Sequence, residues 1–135
     1  MSIFLGANDY AETVRRTIKL NADAYRDVRL LAREYQKDVD VGWFVKDTTW
    51  RAIIHHEFGH VVANTYNLDP LKIACEITKL NPKATLEYLK SELSLYAGGF
   101  DNGQEIIAET FADMSTGSPS NFSRNFYERV YNLTR

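Results

Sequence analysis

Hydrophobic residues recur every three or four positions along most of this chain, which predicts a mainly helical protein. A proline that follows a capping residue marks two helix starts, at Asp69-Pro70 and at Asn81-Pro82. The hydrophobic spacing and these starts predict six helices. The first covers residues 8–37, the second runs from a cap at Asp47, Thr48 or Thr49 to about Tyr66, and the third begins at Pro70. The last three cover about Pro82–Tyr96, Gln104–Ser115 and Ser120–Leu133.

The remaining segments are short. In the first predicted helix Asn8 or Asp9 can serve as the cap, and Asn21 is a candidate break. Val39–Val45 is the best candidate for a β-strand, because it is rich in valine and aromatic residues, although Gly42 weakens it. Residues 97–103 form the most loop-like stretch. The pattern therefore predicts an α+β fold that is predominantly helical and has a small or vestigial sheet.

Composition narrows the classes of function. The chain has 135 residues, of which 44% are hydrophobic, and it is most simply one domain over residues 1–135. Its 16 basic and 18 acidic residues form no long run of one sign, so neither a nucleic acid nor a membrane surface is indicated as a partner. Cys75 is the single cysteine, which excludes an internal disulfide framework. No signal peptide or membrane-spanning stretch is recognisable, and the segment could belong to a longer polypeptide, so localisation stays open.

One motif carries recognisable chemistry. His56-Glu57-Phe58-Gly59-His60 matches the HExxH pattern of zinc peptidases. Residues four apart lie on one face of a helix, so the imidazoles of His56 and His60 can reach a single metal ion. Glu57 lies about 100° around the helix, where a base beside the metal belongs. Gly59 is a poor helix former, which predicts the close approach of another segment. On the opposite face the predicted core stripe consists of Ile54, Phe58, Val61 and Thr65.

A catalytic zinc site normally takes a third protein ligand. His55 is the only other histidine, and it points away from His56, so the third ligand must be a carboxylate. Glu105, Glu109 and Asp113 are four residues apart and share one helix face. Either Glu105 binds the metal and Glu109 supports a histidine, or Glu109 binds and Asp113 supports it. A solvated acidic face is the non-functional alternative, and spacing alone does not choose among these.

A resemblance bears on that choice. His56-Glu57-Phe58-Gly59-His60-Val61 and Glu105-Ile106-Ile107-Ala108-Glu109 together resemble the catalytic domain of anthrax toxin lethal factor and its relatives, a group found in bacterial toxins and phage head-morphogenesis proteins. The resemblance covers about residues 43–130, and its specific part is confined to the two motif helices. It implies a compact zincin-like domain with one Zn²⁺ per chain, Glu105 as third ligand, Glu109 in support, and Tyr96 as donor to the substrate oxyanion.

The expected function is therefore that of a zinc metalloendopeptidase with a peptide or protein substrate. In such enzymes an edge strand before the motif helix commonly grips the substrate, which makes Val39–Val45 a candidate for that role, with a buried aromatic connection as the alternative. A different class of function is also open, namely a metal-binding structural or interaction domain of a phage particle or toxin with little proteolysis. A plain helical interaction domain with an accidental motif would bind no metal.

Overall fold

The computed structural model describes residues 10–135, and within them the protein is an α+β fold that is predominantly helical, as predicted. A two-stranded sheet precedes the helices. The elements are β1 (Ala11–Val14), β2 (Thr17–Leu20), α1 (Ala22–Tyr25), α2 (Val28–Asp40), α3 (Ala52–Tyr66), α4 (Pro70–Thr78), α5 (Pro82–Glu92), α6 (Ile106–Met114) and α7 (Asn121–Thr134).

The single helix predicted over residues 8–37 is wrong, because a β-hairpin occupies its first half. β1 and β2 pair antiparallel, with Val14 opposite Thr17, and Arg15 in the turn has a φ of 56°. Both strands are rich in β-branched residues, which favour extended backbone. Asn21 is a break as predicted, since its side chain accepts a hydrogen bond from the N–H of Asp23 and begins α1. The predicted caps at positions 8 and 9 lie outside the described residues.

The strand predicted over Val39–Val45 is also wrong. α2 continues through Asp40, because Leu31, Tyr35 and Val39 lie four residues apart and form one buried stripe. Gly42 then adopts a φ of 82°, a left-handed conformation that glycine tolerates without strain, and the chain turns away from the helix. The segment is an aromatic connection with Phe44 stacked on Tyr35, their ring centroids 5.0 Å apart.

The motif helix α3 ends at Tyr66 as predicted but begins later, at Ala52, without a side-chain cap. Thr48, one of the predicted caps, instead hydrogen-bonds Tyr35 and the carbonyl of Val45. The predicted core stripe is wrong as well, because Ile54 and Phe58 are 45% and 50% exposed. The face that carries the motif is the buried one, and its inward residues are Ala52, Ile53, His56, Glu57 and Gly59.

Two apolar clusters hold the helices together. The larger lies between α4, α5, α6 and α7 and is centred on the fully buried residues Leu89, Ile106, Ile107 and Phe126. α7 contributes Phe122, Phe126 and Val130 to it, as their four-residue spacing predicts. The smaller cluster joins α2 to α3 through Leu31, Tyr35, Val39 and Ile53. Within residues 10–135 no helix has the length and apolar character needed to cross a membrane.

Candidate metal centre

The centre lies where α3 crosses α6. Gly59 permits this contact, since a Cβ at its position would lie 2.8 Å from the Cα of Ala108 and 2.9 Å from the carbonyl oxygen of Ile107. No side chain fits that space, so the close approach predicted for Gly59 is confirmed. α6 is buried from Ile106 to Asp113, and two carboxylates, Glu109 on the helix and Glu105 just before it, contact the histidines of α3.

Three side chains form a cluster that could hold a metal ion, and they are His56, His60 and Glu105. One Glu105 oxygen, Oε1, lies 3.0 Å from Nε2 of His56 and 2.9 Å from Nε2 of His60. A tetrahedral zinc ion holds its donor atoms roughly 3.3 Å apart, and the two distances from Glu105 are each within a few tenths of an ångström of that spacing. All three donor atoms lie within 4.8 Å of one another. Glu105 is the residue immediately before α6, which lets its side chain turn back across the crossing.

Hydrogen bonds within this cluster shift the pKa values of His56 and Glu105 in opposite directions. Burial by itself would lower the pKa of His56, but hydrogen bonds with Glu105 and Glu109 outweigh burial and hold that pKa above its ordinary value. Burial would raise the pKa of Glu105, and hydrogen bonds with His56 and His60 outweigh it and hold that pKa below its usual range. Both carboxylates thus favour a positive charge on the imidazole of His56, and a metal cation competes with a proton for the lone pair of its ring nitrogen.

Glu109 contacts the far side of the His56 ring. Its Oε2 lies 2.7 Å from Nδ1 of His56, and its Oε1 accepts a 2.7 Å hydrogen bond from the hydroxyl of Ser94. The carboxylate is 1% exposed. A carboxylate at this position orients the imidazole and raises its basicity as a ligand. Its geometry is therefore that of a supporting residue, whereas Glu105 faces both Nε2 atoms.

Asp113 belongs to a different part of the fold. Its Oδ2 accepts hydrogen bonds from the N–H and hydroxyl of Ser120 and from the hydroxyl of Ser123, at 3.1, 3.0 and 2.6 Å. These contacts join the end of α6 to the beginning of α7, so the arrangement in which Asp113 supports the site does not occur. The solvated acidic face is likewise wrong, since Glu105, Glu109 and Asp113 are 6%, 1% and 5% exposed.

Glu57 lies beside the cluster and contacts the N-terminal hairpin. Its Oε1 accepts a 2.8 Å hydrogen bond from the hydroxyl of Thr13, which also lies 3.1 Å from the Glu57 carbonyl oxygen. Its Oε2 is 3.6 Å from Nε2 of His56. The carboxylate is therefore held next to the ligand atoms without replacing them. His55 is exposed and takes no part.

Tyr96 lies against the other side of the centre. Its ring centroid is 5.6 Å from that of His56, and it also contacts Trp43, Phe44 and Phe100 at 5.1, 5.6 and 5.2 Å. The predicted helix over Pro82–Tyr96 ends at Glu92, so Tyr96 lies in the segment after α5. Hydrogen bonds from the N–H groups of Leu95 and Tyr96 to the carbonyls of Gly42 and Trp43 anchor this segment to the connection after α2.

One cleft of ≈ 1310 Å³, bounded by β1, α2, α3 and the segment around Tyr96, is lined by His56, Glu57, His60, Tyr96, Glu105 and Glu109. Ala11 and Thr13 belong to its wall. Asn21 donates its N–H to the carbonyl of Tyr10, and hydrogen-bonding pairs alternate along an antiparallel ladder. The backbone groups of Ala11 and Thr13 therefore face away from β2, on the outer edge of β1.

Two residues that contact the site were missed from the sequence, Thr13 and Ser94. The hydrophobic pattern predicts a helix at Thr13, and the turn Arg15-Arg16 has none of the glycine or asparagine that usually marks a hairpin. The β-branched pairs on the two sides of the turn, Thr13-Val14 and Thr17-Ile18, are the signal that could have revealed it. No local signal separates Ser94 from the other serines, because its partner is fifteen residues away in the chain.

Comparisons of this chain with protein-family models, with curated proteins and with solved structures gave no match.

Proposed function

We propose that this protein is a zinc-dependent metallopeptidase that hydrolyses peptide bonds and is related in kind to the lethal-factor-like peptidases. One observation carries the proposal. A carboxylate outside the donor set, that of Glu57, lies beside the His, His, Glu donors at the wall of an open cleft. Two imidazoles and one carboxylate are a donor set that suits zinc and leaves a position for water or substrate.

His56, His60 and Glu105 would hold the ion, and Glu109 would support His56. When bound, Zn²⁺ supplies a Lewis acid that polarises the scissile carbonyl and lowers the pKa of water toward about 7. Glu57 takes the proton of the attacking water and then delivers it to the leaving amine. The Thr13 hydroxyl keeps the carboxylate of Glu57 in one orientation, since it donates to Oε1 and leaves Oε2 toward the site.

The remaining parts of the cleft orient the substrate. We assign to Tyr96 the donation of a hydrogen bond to the negative oxygen of the tetrahedral intermediate, because it lies beside His56 on the cleft wall. The outer edge of β1 offers the backbone of Ala11 and Thr13 to an extended peptide. β1 thus takes the role expected for Val39–Val45, which is not a strand.

The test is Glu57→Gln, which keeps the shape of the side chain and removes its basicity. We expect purified wild-type protein to contain about one Zn²⁺ per chain and to cleave peptides of a random-sequence library. Glu57→Gln should retain the zinc and lose about 10²–10⁴-fold in turnover, which is the contribution of proton transfer by a positioned base. Zinc content is measured by elemental analysis and cleavage by mass spectrometry.

Glu92→Gln is the matched control, because Glu92 is an exposed glutamate at the end of α5. It should leave both zinc content and turnover unchanged. Full activity in Glu57→Gln would contradict the role of the base. Zinc binding by the wild type without any cleavage would instead favour a metal-binding structural or interaction domain, and absence of zinc would contradict both.

A further inference from the structure

Ser94 is a buried serine whose hydroxyl has a fixed direction. It lies two residues after the end of α5 and is 3% exposed. Its Oγ accepts a hydrogen bond from the N–H of Ala97 at 3.1 Å and donates its proton to Oε1 of Glu109 at 2.7 Å. Because the backbone N–H occupies one side of the oxygen, the hydroxyl proton points toward the carboxylate.

Glu109 connects this hydroxyl to the metal centre. A buried carboxylate must have its oxygens paired with donors, and here Ser94 pairs one oxygen while Nδ1 of His56 pairs the other at 2.7 Å. When Nδ1 carries the proton and donates it to Glu109, Nε2 presents its lone pair to the centre. Nε2 is the atom that lies 3.0 Å from Glu105.

We propose that Ser94 is a positioning residue of the metal centre. Its hydroxyl holds the carboxylate of Glu109 in the orientation that fixes the tautomer and ring angle of His56. Without that hydrogen bond one carboxylate oxygen loses its donor, and Glu109 can rotate away from Nδ1. This inference rests on the proposed metal site, but it does not depend on whether the protein cleaves peptides.

If Ser94 only closed the turn with Ala97, its loss would lower the free energy of unfolding and leave the affinity for Zn²⁺ unchanged. The chain offers a matched comparison in Ser123, which is 0% exposed and donates to Oδ2 of Asp113 at 2.6 Å. Both serines are buried and both pair a buried carboxylate of α6. Only the carboxylate paired by Ser94 contacts a histidine of the centre.

The experiment measures the affinity of each purified variant for Zn²⁺ by competition with a chromophoric chelator, together with the free energy of unfolding in denaturant. Loss of a group that orients a ligand typically lowers metal affinity 10–100-fold, and Ser94 acts one step further out. We expect Ser94→Ala to bind Zn²⁺ about tenfold more weakly. Ser123→Ala should unfold more easily and keep the wild-type affinity.

A double-mutant cycle separates action through Glu109 from any other effect. Glu109→Ala should weaken Zn²⁺ binding by about 10–100-fold, and adding Ser94→Ala to it should change the affinity no further. Additive losses would overturn the proposal. If Ser94→Ala does not fold, Ser94→Cys fills nearly the same space with a weaker donor and should also lose affinity.

The outcomes distinguish this inference from the proposed function. The role of Ser94 is overturned if Ser94→Ala binds Zn²⁺ with wild-type affinity, or if Ser123→Ala loses as much Zn²⁺ affinity as Ser94→Ala. Either result leaves the peptidase proposal standing. Zinc binding that depends on Ser94 in a protein without peptidase activity supports Ser94 and contradicts the peptidase. Absence of zinc binding by the wild type overturns both.

Discussion

At the scale of single residues, Glu105 and Glu109 differ because they contact different ring nitrogens of His56. Glu105 faces Nε2 of His56 and of His60, which are the atoms free to bind a metal. Glu109 faces Nδ1 of His56 and is completed by Ser94. The spacing along the chain fits either glutamate as the third ligand. Only the contacts distinguish Glu105, the proposed ligand, from Glu109, the proposed support of His56.

This difference predicts unequal losses of metal. Glu105→Ala removes a donor atom and should weaken Zn²⁺ binding by more than about a hundredfold, whereas Glu109→Ala removes only an orienting group and should cost about 10–100-fold. Chelator competition with both purified variants measures the two affinities. A larger loss in Glu109→Ala would reverse the assignment of the ligand.

Thr13 leads to a second prediction at this scale. Thr13→Val keeps the shape of the side chain and removes the hydroxyl that pairs Oε1 of Glu57. Loss of one hydrogen bond to a charged group should lower turnover about tenfold, with zinc content unchanged, while Thr13→Ser should keep most of the activity. The measurements are kcat on a cleaved peptide and zinc analysis. Equal turnover in Thr13→Val and wild type would show that the hairpin does not orient the base.

At the scale of elements, the crossing of α3 over α6 determines whether ligands from the two helices meet. The contact depends on Gly59, whose position leaves no room for a Cβ against the backbone of Ala108. α6 can approach because it carries alanine there and is buried on all sides. The site is therefore as sensitive to helix separation as to its own side chains.

Gly59→Ala should separate the two helices. Alanine normally favours a helix interior by about 1 kcal/mol, but the overlap with backbone atoms should outweigh this gain and lower the free energy of unfolding by about 1–3 kcal/mol. Zinc affinity should fall as well. Gly117→Ala is the matched control, since a Cβ there meets nothing within 4 Å. Denaturant unfolding of both variants tests this, and equal stability would contradict the close packing.

For the whole molecule, the centre joins parts of the chain that are far apart in sequence. The hairpin reaches Glu57 from one side of α3, and α6 reaches the histidines from the other. A metal ion held by α3 and α6 would connect these parts, because its ligands are assembled only in the folded chain. Folding and metal binding should therefore be coupled.

Removal of zinc should lower stability by an amount set by mass action. At a free Zn²⁺ concentration about 1,000 times Kd, the free energy of unfolding should rise by about 4 kcal/mol over that of chelator-treated protein. Glu105→Ala should lose most of this increment at the same zinc concentration. Calorimetric unfolding with and without zinc measures it, and an identical transition in both conditions would contradict a metal held by α3 and α6.

The sequence by itself determined the features that depend on short separations along the chain. The helical period brings His56 and His60 to one face, and the cap-proline pairs Asp69-Pro70 and Asn81-Pro82 begin α4 and α5. The core face of α7 follows from the same period. These features need only local geometry, so a single sequence contains enough information to predict them.

Tertiary structure alone decided which distant groups meet. It buried the motif face of α3 and exposed Phe58, and it paired Asp113 with Ser120 and Ser123. It also brought Thr13 to Glu57 and Ser94 to Glu109. The physical reason is that these contacts join residues between 7 and 44 positions apart on different elements, and only the packing of whole elements fixes such distances.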